Sequence, residues 1–304
     1  MTDNKEQHYK INDSQIPTLG GGALGAVCII GVGLIGGSFA LALKDKGITK
    51  HIIGVTRTKE SADIAISLGL IDEALPLEEA VRKSDLIYVS IPVDITIPVM
   101  KQVMDLVTGN QIVVDAGSTK GALCRELAEH INRKHYVASH PMWGTEYSGP
   151  EAAVHNAFTG RACVICEKEK SDASAVATVE EIYQKLGMNL VYMDADAHDI
   201  HAAYVSHISH ITSFALANTV LEKEKEEDAI FELAGGGFES TVRLAKSNPA
   251  MWAAIFMQNR ENVLDVLSEH ISQLRKFKSA LEKENMDFLY ELMENANKIK
   301  EIIK

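Results

Sequence analysis

A Gly-x-Gly-x-x-Gly run set between a strand pattern and an amphipathic helix pattern constrains this chain more than any other feature. The strand-like run 26–31 leads into Gly31-Val32-Gly33-Leu34-Ile35-Gly36-Gly37-Ser38. Alone the spacing is weak; between a strand and a helix it is a strong sign of a dinucleotide site. Gly31 permits the tight turn, Gly33 lets the backbone approach a pyrophosphate, and Gly36 allows close helix–strand packing. Leu34 and Ile35 open the helix whose N-terminus would face the phosphates. Further runs rich in Val and Ile follow at 51–55, 85–91, 111–116, 135–139, 162–166 and 189–193, with helical patterns between most of them. This alternation predicts βαβ units and a mainly parallel, Rossmann-type sheet. The runs are continuously apolar, as strands covered on both faces must be.

No convincing strand pattern follows Met193. The expected organisation is a polar and Gly-rich tail over 1–25, a dinucleotide-binding domain over 26–193 and an all-helical domain over 194–304. At roughly 150 residues per domain, 304 residues fit two domains. Trp252, Ile255, Phe256, Asn259, Val263, Val266, Leu267, Ile271, Leu274 and Phe277 recur at three to four residues, one stripe of a long helix started by Asn248-Pro249. The stripe is long for so short a helical region, which predicts burial against a second copy and hence a homodimer. The tail 282–304 reads as a helix with Met, Leu and Ile on one face, packing in that dimer.

The second strand run ends Gly54-Val55-Thr56-Arg57-Thr58-Lys59. NAD-selective sites place an acid at this point to hold the ribose 2′-OH. Thr56 stands in the acidic place, while Arg57 with Lys59 suits a 2′-phosphate, so NADP is favoured over NAD; the plainer reading of Arg57 is a solvated loop charge. Ser90, near the end of the run 85–91, and Pro92, just after it, complete the expected cofactor set. Two more segments carry chemistry, Val114-Asp115-Ala116-Gly117-Ser118-Thr119-Lys120-Gly121 and Ser139-His140-Pro141-Met142-Trp143-Gly144-Thr145-Glu146. Both follow predicted strands, where open α/β sheets bind ligands. A His at a hydride-transfer centre is a natural base; by position alone His140 could equally be a turn residue before Pro141.

With these segments the chain resembles prephenate dehydrogenase, a tyrosine-biosynthesis family that includes arogenate dehydrogenases. The resemblance runs from about residue 26 onward and rests on GVGLIGGS, DAGSTKG, SHPMWGTEYSG, HDIHAAYVSHISH and GGGFESTVRLAKSNPAMW. It implies that His140 draws the proton from the ring hydroxyl of prephenate as hydride leaves the same carbon for NADP or NAD, and that Ser118 orients that hydroxyl and the histidine. It implies substrate contacts from His210 and Arg243, with Arg243, expected to be buried, as the carboxylate partner. It places Glu146 and Trp252 at the pocket mouth and wall. The chain departs from the family at Tyr147, where many members have Lys, at Ser240, where many have Asp, and at Ser209, where many have Pro. These changes bear on pocket-mouth gating and on prephenate-versus-arogenate preference.

Other readings are weaker. The net charge of −12 argues against a general nucleic-acid or membrane-surface binder. The apolar runs are too short to span a bilayer and residues 1–10 are too polar for a secretory signal, so a cytoplasmic enzyme is expected. Cys163 and Cys166 form a lone C-x-x-C inside a strand pattern, which reads as reduced thiols. His198, His201, His207 and His210 fall on one predicted helix. At about 100° per residue the first two share a face and the last two lie elsewhere, so no metal is expected. A non-catalytic dinucleotide sensor would need neither His140 nor Arg243, and the HPM and S-H-x-x-H segments argue against a pyrroline-carboxylate reductase-like enzyme. About 25 residues precede the first strand run and the family domain takes up the helical region, so no appended chorismate mutase is expected, nor a separate C-terminal regulatory domain beyond 304.

Overall fold

The structure is a computed structural model that describes residues 24–225 and 230–302. Its contacts divide the chain into two units between Ala195 and Asp196. Most of the expected tail lies outside the described residues. Leu24 and Gly25 already belong to the first strand, because the Leu24 amide donates to Ile48 O (2.9 Å) and the Gly25 amide to the Asp85 carboxylate (2.7 Å).

The first unit runs β1 (Leu24–Ile30), α1 (Leu34–Asp45), β2 (Thr49–Val55), α2 (Lys59–Ser67), β3 (Glu73–Ala74), α3 (Leu77–Arg82), β4 (Leu86–Val89), α4 (Val93–Leu106), β5 (Ile112–Asp115), α5 (Gly121–Leu127), β6 (Tyr136–Pro141), β7 (Ala162–Cys166), α6 (Ala173–Lys185) and β8 (Asn189–Met193). The sheet order is β3-β2-β1-β4-β5-β6-β7-β8. Every neighbouring pair is parallel except β6 and β7. This is the mainly parallel Rossmann-type sheet that the apolar runs predict. Each run forms a strand; β3, only two residues long, has no pattern to read.

The central strands are buried on both faces. Val27, Ile29, Leu86, Tyr88 and Val114 pack in one layer with Phe39 of α1. Cys28, Ile30, Ile87, Val89 and Val113 pack in the other with Met100 and Met104 of α4. A strand turns successive side chains to opposite faces. Cys163 and Cys166, three apart on β7, therefore belong to different layers and cannot share one ion or form one disulfide. Burial pushes the Cys28 and Cys124 thiols up to about 12.

The second unit is helical. α7 (Ala195–Ala202) passes through a π-helical segment (Ala203–His207) into α8 (Ile208–Glu224). Then come α9 (Gly236–Val242), α10 (Pro249–Gln258), α11 (Arg260–Glu282) and α12 (Met286–Asn297). The stripe read as one long helix is two, joined at Asn259 (φ −105°, ψ 30°). The Asn259 side-chain amide reaches sideways, donating to Asp199 O (2.7 Å) and lying 3.2 Å from His207 Nδ1. Part of the expected 282–304 helix is also reassigned: the chain turns at Lys283–Asn285, where Asn285 caps α12, and residues 303–304 lie outside the described residues.

The histidine geometry is corrected too. A π turn pairs i with i+5 and slips the helical phase by one residue. His198 and His207, about 180° apart on a regular helix, come to about 80°. Both are buried, whereas His201 is exposed and turns its Nδ1 to Ala197 O (2.6 Å). Among the described residues, no group of three or more His, Cys, Asp or Glu side chains is placed to hold a metal ion.

Burial of His207 sets a pH dependence. It pushes the imidazole from its ordinary 6.5 down to about 4; the Asp199 charge opposes this, and His198 and His210 add to it. The unfolded chain then binds the proton more readily than the folded one. The stabilisation from the neutral ring is complete above pH 6.5 and is lost as pH falls towards 4, about 3 kcal/mol at full extent. The unfolding midpoint of the chain should therefore drop across this interval, and less steeply in His207→Gln. An equal slope in both, followed by circular dichroism, would show that His207 does not carry the effect.

Candidate active site

Parallel strands deliver their carboxyl ends to one edge of the sheet, and the expected residues of the first unit lie along that edge. The glycine turn follows β1, Thr56 and Arg57 follow β2, Ser90 follows β4, Ser118 follows β5, and His140 is next to the last residue of β6.

The glycine turn has the features of a phosphate cradle. Gly31 sits at φ +92°, in the left-handed region, and a Cβ there would stand 2.5 Å from Ser90 O. A Cβ on Gly36 would stand 2.2 Å from Gly31 O and 2.5 Å from Ser90 Oγ. A Cβ on Gly33 would meet nothing within 4 Å: it faces open space, where a bound phosphate needs room. Gly33 is the N-cap of α1 in extended backbone with no side-chain cap, so the first-turn N–H groups remain for an anion. These residues fit a dinucleotide. Ser90 acts on the turn itself, donating to Gly31 O (2.8 Å). Pro92 caps α4 and is exposed. After β2, Thr56 Oγ1 donates to Thr58 O (3.0 Å), Thr58 caps α2, and Arg57 is exposed.

The chemical segments are more enclosed. His140 is 9% exposed, and its strand pairs antiparallel with β7, His140 opposite Val164. Ser118 is half-buried in the loop between β5 and α5. The chain after His140 is held at Trp143, which meets Phe158 edge-on (5.7 Å between centroids, 63°) and packs on the core. Glu146 beyond it is half-buried and Tyr147 exposed.

The second unit brings His210, Trp252 and Arg243 together. The rings of His210 and Trp252 stack with centroids 3.4 Å apart at 23°. His210 Nδ1 donates to Ser206 O (3.0 Å), which leaves Nε2 as an acceptor. Burial pushes the His210 ring below its ordinary value; the Ser206 carbonyl opposes this and the Arg243 charge reinforces it. Arg243 ends α9 and is exposed, not buried as expected. A short 3-10 turn, Arg243–Lys246, carries its guanidinium at the surface.

The sequence reading assigned no role to Asp115, Lys120, Asn259 or the π turn. The first two are fully buried ions inside a quoted motif. A paired Asp and Lys at the end of an apolar strand was the available signal. Nothing in the sequence marks Asn259 as more than one position of an apolar stripe.

The two kinds of glycine predict opposite behaviour. Gly33→Val should leave the unfolding midpoint near that of the parent and raise the cofactor Kd roughly tenfold or more, a loss of ~1.4 kcal/mol or greater. Gly36→Ala should lower both stability and affinity, because α1 must shift off the turn. Fluorescence titration with reduced dinucleotide, beside thermal melts, separates the two; normal affinity in Gly33→Val would remove the cradle.

Known proteins of one family resemble this chain in sequence and fold. Residues 39–192 match the family model for the nucleotide-binding domain of prephenate dehydrogenase, and residues 194–295 match that for its dimerization domain. Prephenate dehydrogenase of Bacillus subtilis (strain 168) is 29% identical over 89% of this chain and 74% of its own length. Cyclohexadienyl dehydrogenase of Zymomonas mobilis is 28% identical over 91% of this chain and 96% of its own. The crystal structure of A. aeolicus prephenate dehydrogenase with hydroxyphenyl propionate and NAD+ superposes with a TM-score of 0.86 at 31% identity, covering 93% of this chain and all (100%) of that one.

Proposed function

The chain belongs to the prephenate dehydrogenase family, and we propose the following division of labour among its residues. The reaction is the oxidative decarboxylation of prephenate in tyrosine biosynthesis, carried out by an oxidoreductase that uses a nicotinamide dinucleotide. His140 is the base and Ser118 its orienting partner. His140 takes the proton of the ring hydroxyl while hydride leaves the same carbon. When bound, the nicotinamide ring accepts that hydride. The bond to the ring carboxylate then breaks, CO2 departs, the electron pair of that bond completes the aromatic ring, and the ring oxygen takes a proton back from His140 to give 4-hydroxyphenylpyruvate. A single observation carries this reading: β6, with His140 next to its last residue, ends on the same side of the sheet as the glycine turn after β1, with β4 and β5 between them.

Arg243 supplies the carboxylate contact, since a guanidinium meets a carboxylate bidentately. His210 and Trp252 act on the substrate as one stacked pair; the pocket-mouth role of Glu146 is carried over from the family resemblance. The Z. mobilis relative is named for cyclohexadienyl substrates, which keeps arogenate as the alternative substrate. NADP is the favoured cofactor, because the turn after β2 offers Arg57 and Lys59 and a Thr in place of the ribose-binding acid. The A. aeolicus structure holds NAD+, so NAD is the competing choice.

A homodimer forms through the helical unit. Ile271, Leu274 and Leu281 of α11 and Met286, Tyr290 and Met293 of α12 are 39–73% exposed, apolar side chains that a second copy would cover. No helix among the described residues is long and apolar enough to cross a membrane.

The test is absorbance of reduced nicotinamide with prephenate and each dinucleotide. His140→Asn should lower kcat by about 10²- to 10⁴-fold with cofactor affinity kept; an unchanged kcat would reject the base. Arg243→Ala should chiefly raise KM. Arg57→Ala should reduce the efficiency with NADP and leave that with NAD; higher efficiency of the parent with NAD would reverse the cofactor assignment. Light scattering should give twice the chain mass.

A further inference from the structure

The ion pair of Asp115 and Lys120 lies beneath the two segments assigned to the chemistry, and both side chains are fully buried. Burying two charges is costly unless geometry and hydrogen bonding compensate. Here the carboxylate is met on all sides. Asp115 Oδ1 accepts from the Tyr136 hydroxyl (2.7 Å) and the Ser139 amide (3.3 Å). Oδ2 accepts from the Gly117 amide (2.9 Å) and from Lys120 Nζ. The Asp115 carbonyl accepts from Ser139 Oγ (2.6 Å), which also pairs with Tyr183 of α6 (2.7 Å).

The donors come from two places. Gly117 and Lys120 flank Ser118 in the loop after β5. Tyr136 and Ser139 lie on β6, Ser139 immediately before His140. One oxygen thus faces the strand that carries the proposed base, and the other faces the loop that carries its partner. The loop is wrapped tightly on the pair, since a Cβ on Gly117 would stand 2.9 Å from Asp115 Oδ2 and 3.3 Å from Lys120 Nζ. Lys120 is also the N-cap of α5, an end where the helix dipole disfavours a cation. Its place there is explained by Asp115, not by the helix.

We propose that Asp115, paired with Lys120, is a positioning residue that sets the Ser118 loop and the His140 strand end in register with each other. The proposal rests on the assignment of Ser118 and His140 to the reaction. An ionised carboxylate is required because only it accepts on both sides. An Asn of the same shape offers one accepting oxygen, and its NH2 group faces two donors on the other side. Either the loop or the strand end must then move. Displacement of reacting groups by about 1 Å costs on the order of 10²-fold in rate.

The test compares Asp115→Asn, the double variant Asp115→Asn/Lys120→Met and His140→Asn in the full chain. Cofactor sites are counted by titration with reduced dinucleotide, and turnover of prephenate is expressed per site. Asp115→Asn removes the carboxylate that meets the buried Lys120 and should lower the unfolding midpoint; the double variant removes that charge as well and should recover it. If Asp115 only stabilises the fold, the double variant regains parental turnover per site, and the proposal is overturned. If Asp115 positions the two segments, the double variant regains its midpoint and its sites but stays about 10²-fold slow in kcat. His140→Asn separates the two layers of the argument. Full turnover in that variant removes the assignment beneath; loss there with recovery in the double variant removes only the positioning role.

Discussion

The burial of a parallel sheet on both faces is the constraint from which the first unit follows. Parallel neighbours cannot be joined by a tight turn, so each connection must cross over through a helix. The helices of those crossovers cover the faces and supply Phe39 to one core layer and Met100 and Met104 to the other. The same constraint sends every parallel carboxyl end to one edge. Gly31, Thr56, Ser90, Ser118 and His140 are far apart in the chain and become neighbours in strand order for that reason alone. The glycine turn works within this frame because Gly36 and Gly31 let α1 sit directly on the end of β1, with Ser90 tying the turn to β4.

A second layer of organisation is polar. Asp115 is surrounded by four donors within the sheet edge. In the helical unit Asn259 holds together Asp199, His207 and the junction of α10 with α11. These groups are buried among apolar side chains, where an unmet polar atom is expensive. Satisfied networks of this kind specify one arrangement rather than add much net stability. At Asn259 the arrangement selected is a bend. The π turn from Ala203 to His207 has a matching consequence: it brings His207 inward, its ring meeting Trp252 edge-on (6.0 Å, 75°), while His210 stacks on the same indole. A π turn next to proposed binding residues is a common association in helical proteins.

Much of this was legible in the chain. The strand runs, the glycine turn and the switch to helices after Met193 are local patterns, and local patterns reflect burial period and backbone sterics. The candidate residues His140, Ser118, His210 and Arg243 were legible through motif resemblance, a different kind of information from spacing. Two departures from the sequence expectation share one cause. At Asn259 and at Ala203–His207 a regular helix would run straight on, but a side-chain contact to Asp199 or one extra residue in a turn changes the path. The exposure of Arg243 is a separate matter: the short 3-10 turn after α9 carries that residue at the surface.

Apolar period, glycine sterics and residue type act over a few neighbouring positions, and they suffice for the fold class, the place of the dinucleotide turn and the set of groups available for chemistry. Which of those groups are held together depends on long-range packing. The pairing of Asp115 with donors from β6, the sideways reach of Asn259 and the stacking of His210 on Trp252 join residues up to 60 positions apart. No local pattern encodes such contacts; they exist because packing leaves each buried polar group one place to find its partner.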